Sequence, residues 1–130
     1  MNVHHIGIIT KNMENSIDVY ERLGYQKQSD IFYDNIQNNR IVFMKNISDE
    51  HVIELIEPFS NLSSVYNFPE GYHHICYVVD DYDNFLMAFK KMKIGKIFTQ
   101  PIQAPAIGEK KVVFAYLKTG MFVEFLIQKF

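Results

Sequence analysis

The sequence contains two copies of one unit, and this repeat constrains the fold more than any other feature. Residues 4–10 read HHIGIIT, and residues 73–79 read HHICYVV, 69 positions later. Near the end of each copy a glutamate interrupts an apolar stretch, Glu54 in VIELIE and Glu124 in FVEFLI, 70 positions apart. A spacing that changes by one residue over half the chain indicates a duplicated supersecondary unit.

Each copy is predicted to begin with a strand, at 3–10 and 73–79, and to continue into an amphipathic helix. Asn12 is suited to N-cap the first helix, and Asp80 or Asp81 the second. Further strands are predicted at 30–36, 40–45 and 51–57, and at 96–99, 111–117 and 121–128. One helix for several strands favours an α+β fold, with a mixed, mostly antiparallel sheet and its helices on one face.

Length and composition narrow the organisation and the partners. The 130 residues fit one domain, with module one at 1–59, a linker at 60–71 and module two at 72–130. The net charge of -2, without a cluster of basic residues, predicts no nucleic-acid partner. No apolar run approaches about 18 residues, which predicts no membrane span. A single cysteine, Cys76, and the lack of a signal-peptide pattern predict a cytoplasmic protein.

Four polar side chains lie on predicted strands that are otherwise apolar. Because side chains alternate across a strand, His5 shares a face with Gly7, and Glu54, His74 and Glu124 each share a face with apolar neighbours. The opposite faces of these strands are more uniformly apolar and are expected to pack against the helices. His4 and His73, the other histidines of the two HH pairs, lie on that opposite face and are expected either to be structural or to support the metal ligands.

These four side chains predict one divalent metal site. A buried carboxylate without a partner is costly, so such groups are paired or bind a metal. A lone strand histidine is more often structural, and a lone glutamate often lies on an exposed edge, but both residues recur together in both copies. We therefore expect His5, Glu54, His74 and Glu124 to bind one ion. Their nitrogen and oxygen ligands suit Zn, Ni, Co, Mn or Fe rather than Ca.

Several of these motifs together resemble the vicinal-oxygen-chelate superfamily, which includes glyoxalase I, methylmalonyl-CoA epimerase, extradiol dioxygenases and antibiotic-resistance proteins. The similar segments are HHIGI at 4–8, the helix ENSIDVYERLGY at 14–25, VIELIEP at 52–58, HHICYVVDD at 73–81 and KVVFAYLKTGMFVEFL at 111–126. The resemblance covers nearly the whole chain. It implies two βαβββ modules that form a curved mixed sheet around a metal-binding cup, and a homodimer.

Residue by residue, the resemblance implies the same four metal ligands that strand alternation predicts. The doubled HHI and the ELIEP ending are most similar to methylmalonyl-CoA epimerases, which implies a metal-dependent isomerase or epimerase that removes a proton next to a carbonyl or thioester. The substrate would then be a small molecule such as an acyl-CoA. Glu124 or Glu54 is the expected base, and Asp34 is the third candidate, in a segment where epimerases carry a Glu-Glu-x-Pro pattern.

Two other functions remain open on the sequence. A lactoylglutathione lyase of the glyoxalase I type has the same ligand set and would act on a glutathione adduct, although residues 117–121 lack the Asp-Pro-Asp-Gly turn common there. A non-catalytic resistance protein of this fold would bind a small molecule, but such proteins often lose the ligands that this chain retains. Extradiol dioxygenation fits this sequence less well, because those enzymes use two histidines and one carboxylate and have longer chains.

Overall fold

The computed structural model describes residues 1–108 and 110–130, which contain two α-helices and ten strands. They form two compact units. The N-terminal unit comprises His5–His73, and the C-terminal unit comprises His74–Phe130 together with Met1–His4. The predicted α+β class is confirmed. The predicted module and linker boundaries stay a prediction.

The helices and strands follow one another in the same order in both halves of the chain. The first half contains β1 (Val3–Ile9), α1 (Met13–Arg22), β2 (Tyr25–Lys27), β3 (Phe32–Asp34), β4 (Asn39–Asn46) and β5 (Val52–Pro58). The second contains β6 (Gly71–Asp81), α2 (Tyr82–Met92), β7 (Gly95–Ile97), β8 (Ile102–Gln103), a 3-10 turn (Pro105–Ile107), β9 (Lys111–Leu117) and β10 (Phe122–Lys129). This order confirms the predicted repeat.

The strands of the two units pair in the same way. In the N-terminal unit β1 is parallel to β5, β5 is antiparallel to β4, and both β2 and β3 pair with β4. In the C-terminal unit β6 is parallel to β10, β10 is antiparallel to β9, and both β7 and β8 pair with β9. Each unit is therefore a βαβββ arrangement in which the first strand after the helix is split into two short pieces.

Both helices begin where the sequence predicts. The Asn12 side chain accepts a hydrogen bond from the Asn15 N–H at 3.0 Å, and the Asp81 side chain accepts one from the Asn84 N–H at 2.9 Å. Such caps satisfy backbone donors that the first helical turn leaves without partners, and each contributes about 1 kcal/mol. Helix α2 ends with Lys93 in the left-handed conformation, at φ 54°. Neither helix in the described part of the chain is long and apolar enough to cross a membrane.

The uniformly apolar strand faces pack against the helices, as predicted. In the N-terminal unit Met13 and Ile17 of α1 lie in one core with Leu55. In the C-terminal unit Phe85 and Phe89 of α2 pack against Phe125, with ring centroids 4.6 and 5.8 Å apart. Burying a side chain of this size contributes about 1.5–3 kcal/mol. The helices therefore occupy one face of each unit, and His5, Glu54, His74 and Glu124 project from the other.

The segment between the two halves is fixed to the N-terminal unit. Val65 is buried against Ile9 and Ile56, and the Ser63 hydroxyl donates a hydrogen bond to the Asn39 side-chain oxygen. The predicted linker is thus packed against the strands that precede it.

Candidate metal centre

In the N-terminal unit the structure brings together His5 and Glu54. Strands β1 and β5 run side by side, with Gly7 opposite Glu54. His5 lies two residues before Gly7 and so projects from the same face. The His5 Nε2 and Glu54 Oε1 atoms are 3.4 Å apart, and both residues are buried, at 0% and 7% exposure. The Phe43 ring and the His5 imidazole form a T-shaped contact, with centroids 5.4 Å apart.

In the C-terminal unit the same construction brings together His74 and Glu124. Cys76 lies opposite Glu124 on the parallel strands β6 and β10, and His74 lies two residues before Cys76. The His74 Nε2 and Glu124 Oε1 atoms are 3.3 Å apart, and the residues are 2% and 5% exposed. The Phe122 ring and this imidazole form a T-shaped contact, with centroids 6.0 Å apart.

The spacing and donor types of each pair fit a divalent transition metal. Charge-assisted hydrogen bonds are about 2.7–2.9 Å long, which is shorter than the distance between Nε2 and Oε1 in either pair. Two ligand atoms that share one tetrahedral ion, with bonds of about 2.1 Å, lie about 3.4 Å apart. Each unit offers one imidazole nitrogen and one carboxylate oxygen, and this ligand set suits zinc and the other divalent transition metals. A cation bound there also neutralises a carboxylate that is costly to bury.

Asp34, the third candidate base, has a different role in the structure. It is buried at 1% exposure at the end of β3. Its Oδ1 atom accepts hydrogen bonds from the backbone N–H groups of Ile36 and Gln37, at 2.9 and 3.0 Å. The carboxylate thus holds the turn between β3 and β4, because an aspartate side chain can close its own turn in this way.

The strand register also separates Asp34 from the N-terminal pair. Asp34 lies opposite Asn39 on β4, whereas Glu54 lies opposite Phe43. Four residues along a strand span about 13 Å. The structure therefore does not place Asp34 beside His5 and Glu54.

Two other side chains near the pairs are part of the packing. His73, on the opposite face of β6 from His74, is buried with its ring edge-on to Phe68, at 4.7 Å between centroids. Cys76 is fully buried in a cluster with Val112 and Leu126.

Arg40 and Glu57 form an ionic network on the N-terminal unit. The guanidinium donates to Glu57 at 2.7 Å and to Glu14 at 2.6 Å. The second oxygen of Glu57 accepts from the Met13 N–H, in the first turn of α1, at 2.8 Å. The hydrogen bond from Arg40 lowers the pKa of Glu14, and the same bond raises the pKa of Arg40. This network attaches the start of α1 to strands β4 and β5.

Sequence reasoning missed a row of aromatic side chains that continues from the C-terminal pair. Phe114 lies opposite Glu124, and Tyr116 lies opposite Phe122, on the same face as the carboxylate. The parity that Phe122 shares with Glu124 could have indicated this row, but the positions of the rings on β9 depend on strand register.

Comparison with known proteins places these features in a family. The model of the glyoxalase/bleomycin resistance protein/dioxygenase superfamily matches residues 4–116. No curated protein matches the sequence significantly.

Solved structures show the same fold. A hypothetical protein from Bacillus halodurans C-125 superposes with a TM-score of 0.83 at 24% identity, covering 99% of this chain and 95% of that one. Methylmalonyl-CoA epimerase from Mycobacterium tuberculosis gives a TM-score of 0.80 at 17% identity, with coverages of 96% and 86%. A Streptomyces coelicolor methylmalonyl-CoA epimerase in complex with 2-nitronate-propionyl-CoA gives 0.80 at 20% identity, with coverages of 98% and 96%.

Proposed function

Because the chain belongs to the glyoxalase/bleomycin resistance protein/dioxygenase superfamily, we propose that it is a metal-dependent isomerase or epimerase that removes a proton next to a carbonyl or thioester. The observation that carries this proposal is the buried His–Glu pair that recurs at equivalent register positions in both units. The proposal has His5, Glu54, His74 and Glu124 hold one divalent ion, which is Zn, Ni, Co, Mn or Fe.

The protein's own groups have defined tasks in this reaction. A bound divalent ion supplies positive charge near the carbonyl oxygen, where negative charge develops as the neighbouring C–H proton leaves. The imidazoles of His5 and His74 would bind this ion through nitrogen, beside the carboxylates of Glu54 and Glu124. The buried surroundings of each pair exclude bulk water, which strengthens the electrostatic interactions on which proton removal depends.

A glutamate of the two pairs is the proposed base. Glu124 or Glu54 takes the proton from carbon and returns it, which is the general acid–base step of an epimerase. Asp34 is a weaker candidate because its carboxylate already accepts two backbone hydrogen bonds in the turn after β3.

The proposed substrate is an acyl-CoA or a related carbonyl compound. Epimerases with this fold include one in complex with 2-nitronate-propionyl-CoA and one in complex with methylmalonyl-CoA. The homodimer and the cytoplasmic location that the sequence suggests remain predictions.

The first test is the metal content of the untagged protein. We expect about one ion per chain in the wild type, and loss of the ion in both His5→Ala and His74→Ala. His51→Ala is the matched control, because His51 is an exposed histidine outside the pairs, and it should keep the ion. A wild type that takes up no zinc, nickel or cobalt would overturn the metal site.

The second test concerns the reaction. Solvent deuterium uptake into methylmalonyl-CoA, abolished in Glu124→Gln, supports the epimerase-like function. Turnover of methylglyoxal with glutathione instead would assign the lactoylglutathione lyase function. A protein that holds the metal and catalyses neither reaction would be a binding or resistance protein, and the proposed catalysis would be wrong.

A further inference from the structure

An aromatic surface extends from the His74–Glu124 pair across the strands of the C-terminal unit. It consists of Phe114, Phe122, Tyr116 and Phe98, and is called the aromatic face below. Strand register places Phe114 opposite Glu124 and Tyr116 opposite Phe122. Since the two partners of an antiparallel register pair project from the same face, these rings lie on the face of the carboxylate.

The rings are in continuous contact. Phe114 stacks on Phe122, with centroids 5.2 Å apart and planes 17° apart. Phe98 stacks on Tyr116 at 5.1 Å and 24°. Phe122 joins the two stacks, at 5.5 Å from Tyr116 and 5.9 Å from Phe98. Through Phe122, the same surface reaches the imidazole of His74.

Exposure rises along the aromatic face with distance from the pair. Phe114 is 8% exposed, whereas Tyr116 is 45% and Phe98 is 48% exposed. Ala104 and Ile102 pack in the same cluster as Phe114, at the inner part of the aromatic face. The outer, stacked rings of Phe98 and Tyr116 are therefore open to a ligand.

A positive charge lies at the outer end. Lys96 is opposite Tyr116 on β7 and shares a strand face with Phe98, two residues later. Its position is two strands across and two residues along from Glu124, which corresponds to about 12 Å between Cα atoms. Lys96 is exposed, so its ammonium is available to an anionic group beside the aromatic rings.

We propose that the substrate of this site is an anionic carbonyl compound with a flat aromatic or conjugated ring. The ring stacks on Tyr116 and Phe98, the anionic group lies near Lys96, and the reacting carbonyl lies at the His74–Glu124 pair. This inference rests on the proposed function for the position of the reacting carbon. A short branched acyl group has no ring to stack on Tyr116 and Phe98, whereas a flat ring gains this stacking interaction.

Binding to the zinc-loaded protein tests the proposal with two matched pairs of probes. Phenylpyruvate is compared with cyclohexylpyruvate, and phenylacetyl-CoA with cyclohexylacetyl-CoA, by titration calorimetry. Within a pair the charge, the chain length and the number of ring carbons are the same, and the ring is flat and aromatic in one member and saturated in the other. We expect the aromatic member to bind about fivefold to tenfold more tightly. The pair that shows the preference tells whether the substrate is a free acid or a thioester.

Variants locate that preference on the aromatic face. Tyr116→Leu and Phe98→Leu keep an apolar side chain but remove the ring, and each should reduce the preference to within twofold. Tyr82→Leu is the matched control, because the Tyr82 ring contacts Phe130 rather than the aromatic face, and it should keep the full preference. Lys96→Gln should weaken both members of the pair that binds, without changing their ratio.

Each result decides for or against the proposal. Equal binding of the flat and saturated probes would overturn it, and so would dissociation of a dimer by Tyr116→Leu, since a second copy would then cover the face. In the wild type, intermolecular NOEs between phenylpyruvate and the Tyr116 ring would support it even if a variant fails to fold. Deuterium uptake into methylmalonyl-CoA without any ring preference would overturn this inference but leave the proposed function intact. Tyr116-dependent binding without proton exchange would support this inference and overturn the proposed function.

Discussion

Replacing Glu124 with glutamine removes one negative charge from the candidate metal centre and little else. The amide has the size of the carboxylate and can keep its place beside His74, 3.3 Å away. In the presence of EDTA we therefore expect the free energy of unfolding to change by no more than about 1 kcal/mol. If the pair were instead a structural ion pair, breaking it would cost about 3–5 kcal/mol.

The effect should appear when metal is added. Zinc at a hundred times its dissociation constant stabilises a folded protein by about 2.7 kcal/mol. With an unfolding entropy of about 2.1 cal/mol/K per residue, the 130 residues convert this into a rise in Tm of roughly 10 °C. Loss of a direct ligand should weaken binding by about 100-fold or more, since outer partners alone cost 10–100-fold. The same zinc concentration would then raise the Tm of Glu124→Gln by only about 1–2 °C.

Calorimetry with zinc and with EDTA measures both quantities, and Glu57→Gln is the matched control. Glu57 projects from the opposite face of β5 to Glu54, and it accepts hydrogen bonds from Arg40 and from the Met13 N–H. This control should lose about 1–3 kcal/mol in both conditions and still show the full zinc shift. A Glu124→Gln protein that keeps the 10 °C shift, or that loses 3 kcal/mol or more in EDTA, would refute the reasoning.

Three further predictions concern other residues. Asp34→Asn retains an oxygen that can accept the turn hydrogen bonds, so this variant should keep both its stability and its deuterium uptake. Asp34→Ala should lose about 1–3 kcal/mol of unfolding free energy, measured in urea. Loss of uptake in a folded Asp34→Asn protein would identify Asp34 as the base. Arg40 lowers the pKa of Glu14 below 4.5, so the stability from this pair is present above pH 4.5 and lost as the pH falls through the lowered value. Arg40→Met should therefore lower the urea midpoint at pH 7 more than at pH 3, and equal losses at both values would contradict this. Gly95→Ala should lower the free energy of unfolding by about 1–3 kcal/mol, because the Cβ of the alanine would lie 2.3 Å from the backbone oxygen of Tyr116. An undiminished urea midpoint would show that the β7–β9 register is wrong.

The repeat could be predicted because its two copies keep a nearly constant displacement of 69–70 residues. The two His–Glu pairs could be predicted because they depend on a period of two. Alternation along a strand assigns His5 and Glu54 to a face without any need for accurate strand ends. The parallel register then brings the two strands together with Gly7 opposite Glu54. The helix starts were readable for a similar reason, since Asn12 and Asp81 carry their capping function in their own side chains.

The short strands could not be predicted in the same way. Strands β2 (Tyr25–Lys27) and β8 (Ile102–Gln103) are too short to show a period. They form because the long strands β4 and β9 offer backbone groups along their free edges. The strand expected at 30–36 is reduced to Phe32–Asp34 for the same reason, since only three of its residues pair with β4.

The two copies differ most in what surrounds their pairs, and this difference bears on specificity. Both units place a phenylalanine opposite the glutamate, Phe43 in one and Phe114 in the other.

Two residues further along the strand, however, the N-terminal unit pairs Lys45 with Val52, where the C-terminal unit pairs Tyr116 with Phe122. The side chains assigned to the metal are thus the same in both copies, while the stacked rings belong to one. If both units supply the same ligands to the proposed metal centre, the C-terminal unit determines which substrate binds. Tyr116→Lys should therefore change which carbonyl compound binds without changing the metal content.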